Sequence, residues 1–237
     1  MEEALFIQNK YYINTADEYD IMHVHEAADP EHELAFFFMC SMIEKYKINS
    51  VLDVGAGTGR VMADLQKKYP SIGVKGIEPV AALRERGYKK GISNQLLTDG
   101  DGKKIDFPDN QFDLVSAFGI LQHIDKPEEV IREMLRVSKQ AVFISDSNNF
   151  GQGSRLQRFI KQAINVVGLW KAFNYIRTGG KKYQISQGDG LFYSYSLYNN
   201  FSFIKSQCRS VYLLNTREAG VNPYRTASHV ALLGLKK

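Results

Sequence analysis

Cysteine is scarce. The 237 residues hold two, Cys40 and Cys208, far apart and without metal-ligand spacing. That excludes a disulfide scaffold and a cysteine-built metal centre, and both thiols read as buried side chains in a reducing compartment. An excess of charge of one sign is missing too. Thirty Lys and Arg against 26 Asp and Glu leave a net charge of +4, mixed along the chain, which gives no footprint for nucleic acid. The longest apolar stretch, near Leu34 to Ile43, contains Ser41 and is too short to cross a bilayer. The opening MEEALFIQNK is acidic and lacks the basic-then-apolar order of a secretion signal. No repeat or low-complexity tract is visible. These absences lead to the expectation of a cytoplasmic protein with neither nucleic acid nor membrane as partner, and they leave its oligomeric state open. The length suits one well-filled domain, or one domain with a cap.

What is present is a strand and helix rhythm. Residues 1 to about 28 are polar and Tyr-rich. Asp29-Pro30-Glu31 reads as a helix start, an N-cap acid followed by Pro at the first helical position, and the helix runs to about Lys47. Strands are expected at Ser50–Val54, Val74–Glu78, near Gln95–Thr98, Phe112–Phe118 and Ala141–Ser145. Helices are expected from Gly59 to about Tyr69, from Val80 to about Lys89 and from Pro127 to about Val137. Such alternation means a mostly parallel, doubly wound α/β sheet with helices on both faces. After Ser145 the rhythm breaks. An amphipathic helical pattern between Gly151 and Arg177 leads to a Gly- and Tyr-rich loop, Thr178 to Tyr195. A helix near Leu197–Gln207 and two strands, about Ser210–Thr216 and His229–Leu235, follow.

The densest signal is VLDVGAGTGR, Val51 to Arg60. A β-branched run ends in an acid, and Gly55, Gly57 and Gly59 follow at every second position. Glycines there let the backbone approach a ligand, and the helix N-terminus behind them offers free N–H groups. The dinucleotide fingerprint needs its third glycine one residue later, where this chain has Arg60. A second acid, Glu78 in GIEP, lies 19 residues beyond Gly59, the distance at which a carboxylate reaches both hydroxyls of a ribose. Asp99 and Asp101 follow in an Asp/Gly-rich loop, and Phe118 to His123 lie past the end of strand four, on the crevice side of an open parallel sheet.

The order D-x-G-x-G-x-G, the GIEP acid and the segment F-P-D-N-x-F-D-x-V resemble class I S-adenosylmethionine-dependent methyltransferases, the small-molecule (methyltransferase type 11-like) group in particular. The resemblance covers about Ser50 to Ser145, and the terminal strands loosely. It implies a Rossmann-like sheet of seven strands with an antiparallel C-terminal pair. Residues 1–48 would form an N-terminal helical segment, 49–147 the cofactor-binding core, 148–207 a helical and loop cap between strands five and six, and 208–237 the terminal pair, all one domain.

The resemblance also implies S-adenosyl-L-methionine as cofactor, with S-adenosyl-L-homocysteine as product. The implied contacts are Asp53, Gly55, Ala56, Gly57, Gly59, Glu78, Pro79, Asp101, Gly102, Phe118 and Tyr19. Asp53 would face the methionine end and orient the glycine turn; Asp101 and Gly102 would meet the adenine. The acceptor would be a small molecule, with an oxygen acceptor such as a sugar or other biosynthetic intermediate ahead of nitrogen or carbon.

His123, in LQHID, is a general base or a pocket wall. His25, Tyr193 and Tyr195 are expected near the acceptor. His23, His25 and His32 fit no standard metal spacing, so no metal is expected. Lys161, Lys171, Arg177, Lys181 and Lys182 make the cap basic, as an acidic acceptor or a solvated face would require.

Overall fold

The computed structural model describes residues 2–20, 30–217 and 222–237. Among them the chain runs α1 (Glu2–Thr15), α2 (Pro30–Tyr46), β1 (Ser50–Val54), α3 (Arg60–Lys68), β2 (Gly73–Ile77), α4 (Ala81–Lys89), β3 (Leu97–Thr98), β4 (Phe112–Phe118), α5 (Pro127–Val137) and β5 (Ser138–Ser147). It continues through α6 (Arg155–Val166), α7 (Trp170–Arg177), β6 (Tyr183–Ser186), β7 (Gly190–Tyr193), α8 (Phe201–Gln207), β8 (Cys208–Asn215), α9 (Pro223–Thr226) and β9 (His229–Lys236). The main sheet has the order β3-β2-β1-β4-β5-β9-β8, parallel except for the antiparallel β9 and β8.

The sequence explains the layers. Val51, Leu52 and Val54 of β1 are fully buried, as a strand covered by helices on both faces must be. The α5 sequence PEEVIREMLRV puts Val130, Ile131, Met134 and Leu135 on one side, and all four are buried. On the other face Ala35, Phe36, Met39 and Ile43 of α2 repeat at helical spacing and enter the core. Cys40 and Cys208 are free and buried, and burial pushes the Cys40 thiol up to about 11.

Three expectations need correction. The stretch from Gly151 to Arg177 is two helices, broken where Gly168 takes φ +77°. The loop from Thr178 to Tyr195 holds a β-hairpin, with Tyr183 opposite Tyr193 and Ser186 opposite Gly190. Its Gly and Tyr content hid an alternation of YQIS with GLFY that is too short to stand out. Strand five is longer than expected, starting at Ser138 and ending at Ser147, with a register shift against β4 between Phe112 and Leu114.

Candidate active site

The strand order reverses between β1 and β4, and a crevice opens beyond their C-terminal ends, where open α/β sheets bind ligands. A cavity of about 440 Å³ lies there. Asp53, Gly55, Ala56, Phe118 and His123 line it with Tyr19 from the N-terminal segment. A second cavity of about 670 Å³ continues under the cap, between α6, α7 and the β6–β7 hairpin. The two share Gln122, Ser147, Gln152 and Asp189 in their walls.

The glycine turn follows from its neighbours. The Gly55 and Ala56 amides donate to the Ile77 carbonyl at 2.9 and 3.0 Å, tying the turn to the end of β2. Gly59 is the N-cap of α3 with φ +77°, and a Cβ there would meet Ile92 Cδ1 at 2.1 Å. The carboxylate that holds the turn is Glu78 rather than Asp53. Glu78 Oε2 accepts from the Gly57 amide at 3.0 Å and Oε1 from the Val80 amide at 2.9 Å. Asp53 accepts instead from Ser116 Oγ at 2.7 Å. Both acids are almost fully buried. Burial raises both carboxyls above the usual range, that of Asp53 to about 7. Acids so placed are suited to a ligand that carries positive charge into the cavity.

Tyr19 lies over the turn, its hydroxyl 3.5 Å from the position a Gly57 Cβ would take. The neighbouring Asp20 is anchored by Thr58 Oγ1, which donates to it at 2.7 Å, and by Lys90 at 2.6 Å. Thr58 itself accepts from Lys90 Nζ at 2.7 Å. Sequence reasoning missed this clasp between the N-terminal segment, the glycine turn and the end of α4. His32 lies in the first turn of α2, the alternative to a metal ligand; it lines the first cavity and packs on Phe118, ring centroids 4.8 Å apart, with burial lowering its pKa to about 3. His25 and His23 lie outside the described residues.

Not every expected residue converges. Asp101 is exposed, bridges to Lys104 and accepts from the Lys103 amide at 2.9 Å, so its carboxylate caps its own turn. Gly102 packs against Val54 and Val130, and the exposed Pro79 lies outside the cavity lining. Tyr193 lines the second cavity, half-buried. Tyr195 reaches that cavity too but belongs to the core, its hydroxyl donating to Asn200 Oδ1 at 3.1 Å.

His123 sits at the junction. Its Nδ1 lies 2.6 Å from the Leu191 carbonyl, an obligatory acceptor, so Nδ1 carries a proton and Nε2 is the basic nitrogen of the neutral ring. Nε2 faces Asp189 Oδ1 at 3.3 Å. Burial lowers the imidazole pKa, but the Asp189 bond and charge, the Leu191 carbonyl and Asp146 outweigh it, and the net shift is upward. Asp146, an acid at the end of β5 that sequence reasoning passed over, accepts from the Leu121 and Ser147 amides at 2.8 Å each. It thereby fixes the turn of Leu121–His123, and burial raises its carboxyl to about 6. Ser145 Oγ in the first cavity and Asn149 Nδ2 in the second are buried, and the described residues supply no hydrogen-bond partner for either. Both could serve a ligand.

Residues 52–144 match the model of a methyltransferase domain family. They form a class I methyltransferase domain. The family uses S-adenosylmethionine as methyl donor, and the buried acids and glycine turn fit that cation. An uncharacterised methyltransferase of Schizosaccharomyces pombe is 30% identical over 144 residues, which are 56% of this chain and 50% of that protein. The ubiquinone/menaquinone biosynthesis C-methyltransferase UbiE of Ectopseudomonas mendocina is 39% identical over 102 residues, 38% of each chain. The chain thus spans half or less of the length of these curated relatives. A solved S-adenosylmethionine-dependent methyltransferase of Thermotoga maritima, described as a possible histamine N-methyltransferase, shares the fold. Its TM-score is 0.56 at 18% identity, over 96% of this chain and 99% of that one.

Proposed function

We propose that the protein transfers a methyl group from S-adenosylmethionine to a small molecule, with an oxygen of a sugar or other biosynthetic intermediate as the accepting atom. The observation that carries this reading is the continuity of the two cavities. The first holds Asp53, the glycine turn and Phe118, and the second offers a chamber walled by Trp170, Phe173 and Tyr193 with Lys161 and Arg177. Lys171, Lys181 and Lys182 are exposed, so only part of the basic cap faces an acceptor.

When bound, the cofactor supplies an electrophilic methyl on its sulfonium. Asp53 and Glu78 hold the cofactor by charge and hydrogen bonds. The hairpin and α1 exclude water and hold the acceptor in line. His123 Nε2, with its tautomer set by the Leu191 carbonyl, takes the hydroxyl proton, and Asp189 stabilises the resulting imidazolium. In this reading residues 1–237 are one domain working in the cytoplasm, 49–147 binding cofactor and 148–207 enclosing the acceptor. A nitrogen or carbon acceptor is the second reading, favoured by the carbon methylation for which the Ectopseudomonas mendocina relative is named. The test is transfer of labelled methyl from S-adenosylmethionine into a metabolite extract of the source cell. A labelled O-methyl product supports the proposal. Cofactor binding with no label transferred to any metabolite overturns it.

A further inference from the structure

Helix α6 is built inside out. Its polar side faces the protein. Arg158 donates to the Thr226 carbonyl at 3.1 Å, Gln162 to the Phe150 and Arg225 carbonyls at 3.0 Å each, and Asn165 to the Tyr224 hydroxyl at 3.0 Å. Lys161 donates to the Asn149 carbonyl. No residue of α6 is buried. The opposite side, with Leu156, Phe159, Val166 and Val167, points to water; Phe159 is 69% and Val166 81% exposed. Leu169 and Ile176, at the start and end of α7, extend it, Ile176 at 79% exposure. A surface helix of a globular protein does the reverse, turning its apolar stripe to the core. An apolar surface of this extent marks a contact with something other than water.

Charge identifies the contact. Residues 147–188 contain seven Lys and Arg and no Asp or Glu. The net charge of +4 conceals this, because the rest of the chain is acidic in balance. A second copy docking through the same face would bring two such cationic segments together, which like-charge repulsion opposes. An anionic lipid surface meets both features at once, because apolar side chains enter the acyl boundary while the exposed Lys171, Lys181 and Lys182 stay among the headgroups.

We propose that α6 and α7 dock the protein on an anionic lipid bilayer, lying in its interface without crossing it. Among the described residues no helix is long and apolar enough to span, and interfacial docking needs none. This revises the expectation that membranes are not a partner. Ile160 and Phe173 belong both to this face and to the lining of the second cavity, so that cavity adjoins the lipid.

The test is flotation of the full chain with phosphatidylcholine vesicles, with and without phosphatidylglycerol. No cofactor or acceptor is added, so the result is independent of the methyl-transfer reading. Binding is expected only to the phosphatidylglycerol vesicles, weakening as salt is raised. Phe159→Asp with Ile176→Asp should lower it by roughly tenfold or more, and Lys181→Glu with Lys182→Glu likewise, at about 1 kcal/mol per basic residue near the surface. All four side chains are exposed, so the thermal midpoint should not move. The proposal is overturned if the anionic vesicles bind nothing, or if both variant pairs bind like the wild type. It is also overturned if Ile176→Asp disperses a dimer of a chain that ignores vesicles.

Discussion

Asp53→Asn tests the electrostatics of the crevice most directly. The Asp53 carboxyl is enclosed by protein, accepts from Ser116 Oγ, and is raised from 3.8 to about 7, first by burial and further by the Glu78 charge. A raised carboxyl pKa means the native state keeps a proton that the unfolded chain releases. Stability therefore falls as pH rises from about 4 to 7 and then levels off. A shift of about three units at 1.36 kcal/mol each makes the cost about 4 kcal/mol by pH 8. Asparagine keeps the oxygen that receives the Ser116 hydroxyl and removes the charge. In urea unfolding the variant should match the wild type near pH 4 and exceed it at pH 8 by up to about 4 kcal/mol. Its affinity for S-adenosylmethionine should fall by about tenfold or more, which is about 1.4 kcal/mol or more. Parallel decline of wild type and variant between pH 4 and 7 would refute the reasoning, because the buried charge would then not be the source of the slope.

Glu78→Ala removes the acceptor of two backbone amides and the cofactor contact proposed for this carboxylate. Stability should drop by about 1–3 kcal/mol for each buried donor left unpaired, and calorimetry should show cofactor binding weaker by a similar amount. His123→Ala should lower turnover of an oxygen acceptor by about 10²–10⁴-fold with cofactor affinity nearly intact. The wild-type rate should rise with pH through an ionisation above the ordinary histidine value of 6.5, and the variant should lack that rise. The same shift bears on the hairpin. A raised histidine pKa stabilises the closed contact fully below about 6.5 and loses that contribution as pH passes the folded value. Hydrogen exchange in Tyr183–Tyr193, corrected for intrinsic rate, should therefore be slower at pH 6 than at pH 9, and Asp189→Asn should abolish the difference.

The core was legible because its signals are local. β1, β4 and α5 announce themselves through β-branched runs and a Pro-capped amphipathic repeat. The roles inside the site were less legible because they depend on which neighbour reaches which atom. Asp53 and Glu78 look alike in sequence, yet only Glu78 faces the Gly57 amide. Asp101 was expected at the adenine because its segment resembles the family's, but its loop is rich in Asp and Gly, the composition of a self-capping turn. His123 could be proposed from LQHID, but its tautomer is set by Leu191, 68 residues away. The hairpin and the inverted α6 were hidden for a related reason: periodicity reports that a face is apolar and is silent on which way it points.

Asn148, at the end of β5, has a further consequence. Its Nδ2 donates to the Tyr224 and Ala227 carbonyls at 2.9 and 2.8 Å, and its Oδ1 accepts from Ser196 Oγ at 2.8 Å and from the Phe150 amide at 3.2 Å. Asn148 and Ser196 also form a backbone bridge, and both are fully buried. The insertion between them thus leaves the sheet and returns at one point, like a loop of thread passed through a single eyelet. Closing such a loop costs only about 0.6 kcal/mol more for each doubling of its length. The enclosed segment can be lengthened, shortened or exchanged while the eyelet holds, and the strands beneath keep their register. A chain organised in this way can acquire a new acceptor without refolding the part that holds its methyl donor.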